Sequence, residues 1–406
     1  MSRIAIAGGG AAGFFAAITC AETAPGHDVV LFEKGPQFLS KVRISGGGRC
    51  NVTHACFDAR DLTTRYPRGE RALLSPFKQF QAADTVQWFE TRGVKLKTES
   101  DGRMFPTTDS SQTIIDCLVR AAKAARVTLT ANAGVESARR TANGFELTLS
   151  DGQKVSCDRL LLATGGCRAA AAGKIALDLG HALEPPVPSL FTFHIATPWL
   201  RELAGVSVES AEASVPSAKL RERGPLLVTH WGLSGPVILR LSAWGARELH
   251  AADYRFPLLV NWLPGTTVEK ISAELDSRRA GQPAKKIANT TLGGLPSRLW
   301  EQLVSASGIA PETRWSALSR GAQHRLVQQL TRTEFPVTGK SLNKDEFVTC
   351  GGVRLGDVDL KTMESKLCPG LFFAGELLDI DGITGGFNFQ AAWTTGWLAG
   401  KAMAAS

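Results

Sequence analysis

The stretch Arg3–Phe15, RIAIAGGGAAGFF, decides the fold. Ile4 to Ala7 read as a short buried strand. Gly8, Gly10 and Gly13 follow as GxGxxG, and Phe14 to Ala24 read as a helix that Pro25-Gly26 ends. Asp28 to Glu33, DVVLFE, is a second buried strand. Together they make a βαβ unit of about thirty residues. In such a unit the first glycine permits the tight turn and the second lets backbone approach a pyrophosphate. The third lets helix and strand pack closely, and the helix N-terminus faces the phosphates with free N–H groups. Glu33 ends the second strand, where a carboxylate accepts from adenosine ribose hydroxyls. The competing reading is a purely structural glycine turn.

FAD and NAD share this fingerprint, so later segments must choose between them. Ala163-Thr164-Gly165-Gly166 ends the apolar strand Arg159–Ala163. Leu371–Glu376, LFFAGE, is another apolar strand ending in glycine and an acid. Gly385-Gly386-Phe387-Asn388 directly precedes a helix, whose N-terminus suits negative charge at a flavin N1/O2 edge. Their order along the chain points to FAD.

The segment Lys41–Thr53, KVRISGGGRCNVT, is the most distinctive. Three successive glycines remove side chains where a flat ring could lie on backbone, and Arg49, Cys50 and Asn51 follow as cation, thiol and amide. Cys50 reads either as an acid or nucleophile beside the flavin, or as a packing thiol.

Outward from these motifs, residues 1–190 and 336–406 read as one discontinuous FAD domain, interrupted at the proline run Pro185, Pro186 and Pro188. The insert, 191–335, divides into a strand-like part, 191–263, and amphipathic helices, 264–335. PLLVTHWGLSGPVILRLSA is taken among its strand-like runs. Val127–Ala131, Gly144–Leu149 and Lys154–Cys157 read as a small meander with turns at Asn143-Gly144 and Asp151-Gly152. The fold class is α/β.

The chain has 406 residues, 44% apolar and 21% charged, and its 41 glycines cluster in short turns, which excludes a collagen-like or disordered chain. Ile4–Cys20 lacks a basic leader and is broken by glycines, so neither a signal peptide nor a membrane span is expected. Eight scattered cysteines without a CxxC pair suit a reducing cytoplasm and argue against disulfides or a metal site. Of the net charge of +8, the stretch Phe191–Lys340 supplies +6, from 18 Lys/Arg against 12 Asp/Glu. A basic insert suits an RNA partner or is a solvated face.

Several segments together resemble the bacterial aminoacetone-oxidase-like FAD-binding flavoproteins of the YhiN and BaiN types. They are GGGAAG at Gly8, SGGGRCNVT at Ser45, GRMFP at Gly102, LLATGG at Leu161, THWGLSGPVILRLS at Thr229, GGV at Gly351, and the long run Thr362–Gly400. The resemblance implies a Rossmann-like, glutathione-reductase-type FAD domain with an inserted β-rich plus helical domain. It also implies noncovalent FAD contacts at Gly8, Gly10, Ala12, Gly13, Glu33, Lys34, Gly47, Gly48, Arg49, Val135, Ala163, Thr164, Gly165, Gly375, Glu376, Asp381, Gly386, Phe387 and Asn388. Cys50, Arg49 and Asn388 are the candidate catalytic groups. One departure stands out. Where the family carries Ser/Thr-Gly-Asp-Gly, this chain reads CRAAAAGKIALDLGH over Cys167–His181, so no substrate contact is carried over from that loop.

Flavin chemistry moves a hydride or electrons at N5. A second GxGxxG is absent, so NADH or NADPH would have to dock transiently at the flavin face, or another donor would serve. The activities the resemblance implies are reduction of a ribosomal RNA uridine to dihydrouridine, reduction of a steroid-like small molecule, and amine oxidation. A protein that merely holds FAD is the non-enzymatic alternative. Arg278, Arg279, Lys285, Lys286, Arg314, Arg320, Arg325 and Arg332 are the cations an RNA substrate would use.

Overall fold

A computed structural model of the chain describes residues 1–167, 170–341 and 348–405. Two compact units emerge: Met1–Ser189 with Lys344–Ser406, and Leu190–Asn343.

The first unit is built on a seven-stranded sheet ordered Val358–Asp359, Glu364–Ser365, Leu371–Phe373, Arg159–Leu162, Arg3–Ala7, Asp28–Phe32 and Thr128–Thr130. The five strands from Leu371–Phe373 to Thr128–Thr130 run parallel. Ala7 pairs with Phe32 on one side and Leu162 on the other, so Gly8, Glu33 and Ala163 emerge side by side. Ligands of open α/β sheets bind at this carboxyl edge.

The helix Ala11–Thr23 lies against the C-terminal helix Phe387–Ala405. Their approach is close because Gly396 and Gly400 carry no side chain. A Cβ on Gly396 would stand 2.4 Å from the Ala12 carbonyl oxygen, and one on Gly400 2.5 Å from that of Ala16. Around this seam the Phe15 ring packs on Trp88 and Trp393, with centroids 4.5 and 4.6 Å away. Rings this large contribute most of the apolar area such a core removes from water.

Two expectations change here. Thr128–Thr130 is the edge strand of the main sheet, and the meander is Val135–Thr141, Gly144–Leu149 and Lys154–Cys157. The proline run lies within the strand Leu183–Ser189, paired with Val348–Val353 around a register shift between Glu184 and Val187. Prolines are tolerated there because a bulge leaves N–H groups out of the ladder. Of the divergent segment, Arg168 and Ala169 fall outside the described residues, and Ala170–Asp178 is helical.

In the second unit six strands close a barrel, ordered Thr192–Ile195, Gly232–Ser234, Leu220–Thr229, Ser207–Val215, Phe256–Asn261 and Thr333–Ser341. The last strand buries Phe335 and Val337, so the return expected at 336 lies later in the chain. PVILRLSA is not a strand. Pro236 opens the helix Pro236–Trp244, a position where its missing N–H and fixed φ suit a first turn. The helices Val268–Gly281, Ser297–Ala306 and Arg320–Arg332 complete the unit.

Candidate functional site

At the N-terminal turn the three glycines serve different ends. Gly8 has φ +115°, and a Cβ there would stand 2.3 Å from the Ala163 carbonyl oxygen. A Cβ on Gly13 would stand 2.0 Å from the Gly8 carbonyl oxygen. Both are glycine because backbone meets backbone. Gly10 differs: a Cβ there would meet nothing within 4 Å. It opens a helix that has no side-chain cap, so the helix N-terminus is available to an anion. Gly47, Gly48 and Gly165 are likewise bare backbone facing open space. This distribution, packing glycines behind and open glycines in front, fits a dinucleotide laid along the sheet edge.

Glu33 accepts from the Gly9 and Gly35 N–H groups, both at 2.9 Å. These bonds fix its carboxylate beside the turn and leave further lone pairs for ribose hydroxyls. Ala133 N–H donates to the Glu33 carbonyl at 2.8 Å, which brings Gly134 against Lys34 and places Val135 just beyond. Ala163 N–H donates to the Ala7 carbonyl at 2.8 Å and leads into Thr164 and Gly165. Gly375 presses on Ala12, its would-be Cβ 3.0 Å from that methyl group. Glu376 accepts from Lys41 Nζ at 2.5 Å and from the Thr349 N–H at 2.8 Å. Lys41 and Thr349 thus hold an acid of the site, and the sequence reading missed both.

In the glycine segment, Gly46, Gly47 and Gly48 all take positive φ, 58°, 68° and 85°. Arg49 turns away from the open face. Its guanidinium lies 4.0 Å from the Phe105 ring centroid and donates to Glu99 at 2.6 Å, with Asp109 at 3.6 Å. The hydrogen bond to Glu99 raises its pKa further. The side chain is a clamp on its own loop.

Of the two readings of Cys50, burial favours the packing thiol. The side chain is 0% exposed, and burial pushes the thiol up to about 12. A thiol that keeps its proton and has no surface is no nucleophile. A Cys50→Ala variant is therefore expected to keep FAD and to turn over within about twofold of wild type. Loss of turnover with FAD and fold retained would restore the chemical reading.

The loop before the C-terminal helix is held from behind. With its amide oriented to satisfy both neighbours, Asn51 accepts from the Gly386 N–H at 2.9 Å and donates to the Thr53 carbonyl at 3.0 Å. Tyr66 donates to the Phe387 carbonyl at 2.6 Å. Thr53 and Thr85 both donate to Gln390 Oε1, at 2.6 and 3.0 Å, and Trp393 Nε1 donates to the Val52 carbonyl at 2.9 Å. The only legible sign of this network is the presence of Gln390, Thr394 and Thr395 in an apolar helix.

Three of the expected contact residues have partners within the protein here. Asp381 is 0% exposed and its carboxylate is taken by Arg68 and by Ser189 Oγ, the latter at 2.8 Å. Burial raises its pKa, and Arg68 opposes that rise. Phe387 is 3% exposed, its ring stacked on His54 at 4.7 Å. Asn388 donates to the Gly382 carbonyl and accepts from the Gly382 N–H, both at 2.8 Å. These three side chains build the loop.

Among the described residues no cluster of His, Cys, Asp and Glu could hold a metal, and no helix is long and apolar enough to cross a membrane. In the second unit several of the expected RNA cations are spent internally. Arg278 donates to the Thr290 and Thr291 carbonyls at 2.8 Å each, Arg279 to Leu318 at 2.6 Å and Arg325 to Ser307 at 2.8 Å. Lys286 pairs with Glu312 at 2.6 Å. Lys285, Arg314, Arg320 and Arg332 are exposed.

A family model described as the HI0933-like protein Rossmann domain matches residues 2–402. The chain is 32% identical over 411 residues to the ribosomal RNA dihydrouridine synthase of Escherichia coli, covering 99% of this chain and 98% of that one. It is 29% identical over 412 residues to the 3-dehydro-bile acid delta(4,6)-reductase of Clostridium scindens, covering 100% and 99%. The fold is shared with a solved 3-ketosteroid delta1-dehydrogenase from Sterolibacterium denitrificans. There the TM-score is 0.52 at 13% identity, covering 100% of this chain and 99% of that one.

Proposed function

The chain belongs to the HI0933-like family of FAD-dependent oxidoreductases, and we propose that it reduces the C5=C6 bond of a ribosomal RNA uridine to dihydrouridine, with NADH or NADPH as donor. The observation that carries this reading is full-length likeness to two proteins whose names describe one bond change. A uracil C5=C6 bond is conjugated to the C4 carbonyl, and the delta(4,6) bonds of a 3-dehydro bile acid are conjugated to the 3-oxo group. In both cases a hydride joins the carbon distal to the carbonyl and a proton joins the carbon next to it. The surplus of 18 Lys/Arg over 12 Asp/Glu in the second unit favours the RNA over the small molecule.

FAD, when bound, supplies the hydride chemistry at N5. The protein's part is positioning. The Gly10 backbone and the uncapped helix behind it receive the pyrophosphate, Glu33 receives the adenosine ribose, and the bare backbone of Gly47 and Gly48 offers a flat surface. Asn51, Tyr66 and Gln390 hold the Gly386 loop in one conformation. Buried Cys50 does not supply the proton. Eight free cysteines suit a reducing cytoplasm.

Anaerobic mixing tests the reading. NADH or NADPH is expected to bleach the bound flavin, and a uridine-containing ribosomal RNA fragment to reoxidise it with dihydrouridine formed. A flavin that neither donor reduces would remove the nicotinamide step. Reoxidation by a 3-oxo-steroid enone but not by RNA would remove the RNA substrate. Hydrogen peroxide formed with aminoacetone under air, without RNA turnover, would replace the reading by amine oxidation.

A further inference from the structure

The barrel of the second unit presents an exposed aromatic at the tip of a rigid hairpin. Leu220–Thr229 and Gly232–Ser234 pair directly, Thr229 opposite Gly232, leaving His230 and Trp231 as the turn. The Trp231 backbone is tied on both sides. Its N–H donates to Thr229 Oγ1 at 3.3 Å, and its carbonyl accepts from the Ile195 N–H at 2.9 Å. Gly232 lets the turn press on the neighbouring strand, since a Cβ there would stand 2.2 Å from the Phe193 carbonyl oxygen. Yet the indole on this fixed backbone is 61% exposed. A single exposed apolar ring is ordinary on a protein surface, so the case for a binding surface rests on what surrounds this one.

The surroundings define what would cover it. The His194 ring lies 6.3 Å from the indole, inclined at 50°, and His230 is exposed beside it. Leu227, 37% exposed, extends the apolar area along the outward face of its strand. Arg221 and Arg223 are exposed on that same face, Arg221 beside Glu212 at 3.6 Å and Arg223 donating to the Pro264 carbonyl at 3.0 Å, with Arg223 roughly 13 Å along the strand from Leu227 by the ordinary strand rise. The unit as a whole carries the chain's positive surplus. An open stacking ring, two imidazoles for hydrogen bonds and cations along the strand match a single-stranded nucleotide chain. A steroid would instead need an enclosed apolar cleft, which an indole this exposed does not provide.

We infer that Trp231, with His230 and His194, is a stacking platform for an unpaired uracil-bearing nucleotide of the RNA. The inference rests on the RNA reading above and deepens it. Arg221 and Arg223 serve the phosphates of the same strand, so ring and cations contribute differently: stacking adds affinity that salt does not screen, and the arginines set the salt slope.

The test is fluorescence anisotropy of a fluorescein-labelled, uridine-rich single-stranded RNA with the FAD-loaded full chain at several salt concentrations. Trp231→Ala is expected to weaken binding about 10-fold at every salt concentration, with the salt slope kept. Trp231→Phe, which preserves a ring, is expected to stay within about threefold of wild type. FAD content and flavin reduction are expected to be unchanged in both. RNA binding by wild type with no loss in Trp231→Ala overturns the platform and leaves the RNA substrate standing. Failure of wild type to bind the RNA overturns both. Loss of a 3-oxo-steroid by Trp231→Ala, with RNA binding intact, assigns the indole to another ligand and overturns the platform.

Discussion

Gly10→Val is expected to abolish FAD binding while leaving the apoprotein folded. Gly10 has φ −91° and ψ −169°, extended backbone that any residue adopts. A Cβ there would meet nothing within 4 Å beyond its chain neighbours. Its methyl groups would stand instead where a pyrophosphate approaches the helix N-terminus, displacing the anion from its N–H donors. A loss of about 100-fold or more in FAD affinity follows from removing several charge-assisted hydrogen bonds together. Gly13→Val is the control. It drives a side chain into the Gly8 carbonyl and should lose fold and cofactor together. FAD content after reconstitution, measured beside the Tm of each apoprotein, separates the two. A Gly10→Val protein that binds FAD normally would move the phosphates away from this turn.

The second large effect concerns Arg68 and Asp381. The Asp381 carboxylate has no exposed surface, and Arg68 faces it. Removing one partner of a buried pair leaves an uncompensated charge, so Arg68→Ala is expected to cost about 3–5 kcal/mol of stability. The direction with pH follows from linkage. Burial raises the folded pKa of Asp381 above its unfolded value. Its contribution is therefore fully present below the unfolded pKa and is lost as pH rises through the folded one. Without Arg68 to oppose the rise, the window widens upward. Denaturant unfolding should find Arg68→Ala closest to wild type in mild acid and furthest from it at neutral pH. Arg68→Met combined with Asp381→Leu should recover most of the loss, because no charge then remains unpaired. A loss independent of pH, or a double variant no better than the single one, would mean that the site depends on packing and not on the pair.

The backbone of the site was legible where local pattern decides it. A strand, a GxGxxG turn and a helix in thirteen residues point to a dinucleotide fold, and the glycines proved divisible only once their neighbours were known. Segments governed by distant partners were less legible. The prolines near 185 mark a bulged strand because Val348–Val353 lies beside them. PVILRLSA is apolar enough for a strand, and its helical state follows from Gly235-Pro236 at its start. Side-chain roles were the least legible. Arg68 and Asp381, Thr53 and Gln390, and Asn51 and Gly386 meet across more than 300 positions of chain. Spacing in the sequence carries no record of such meetings. Arg49 and Asp381 were placed at the cofactor by the family resemblance, which carries no record of the partners that Glu99 and Arg68 supply within the protein.

Nucleoside analysis of ribosomal RNA from cells with and without this gene tests the central claim most directly. Dihydrouridine is expected in RNA from cells that carry the gene. It should be missing at one site when the gene is deleted, and restored by the wild-type chain but not by Gly10→Val. Dihydrouridine content that is the same with and without the gene would contradict the account.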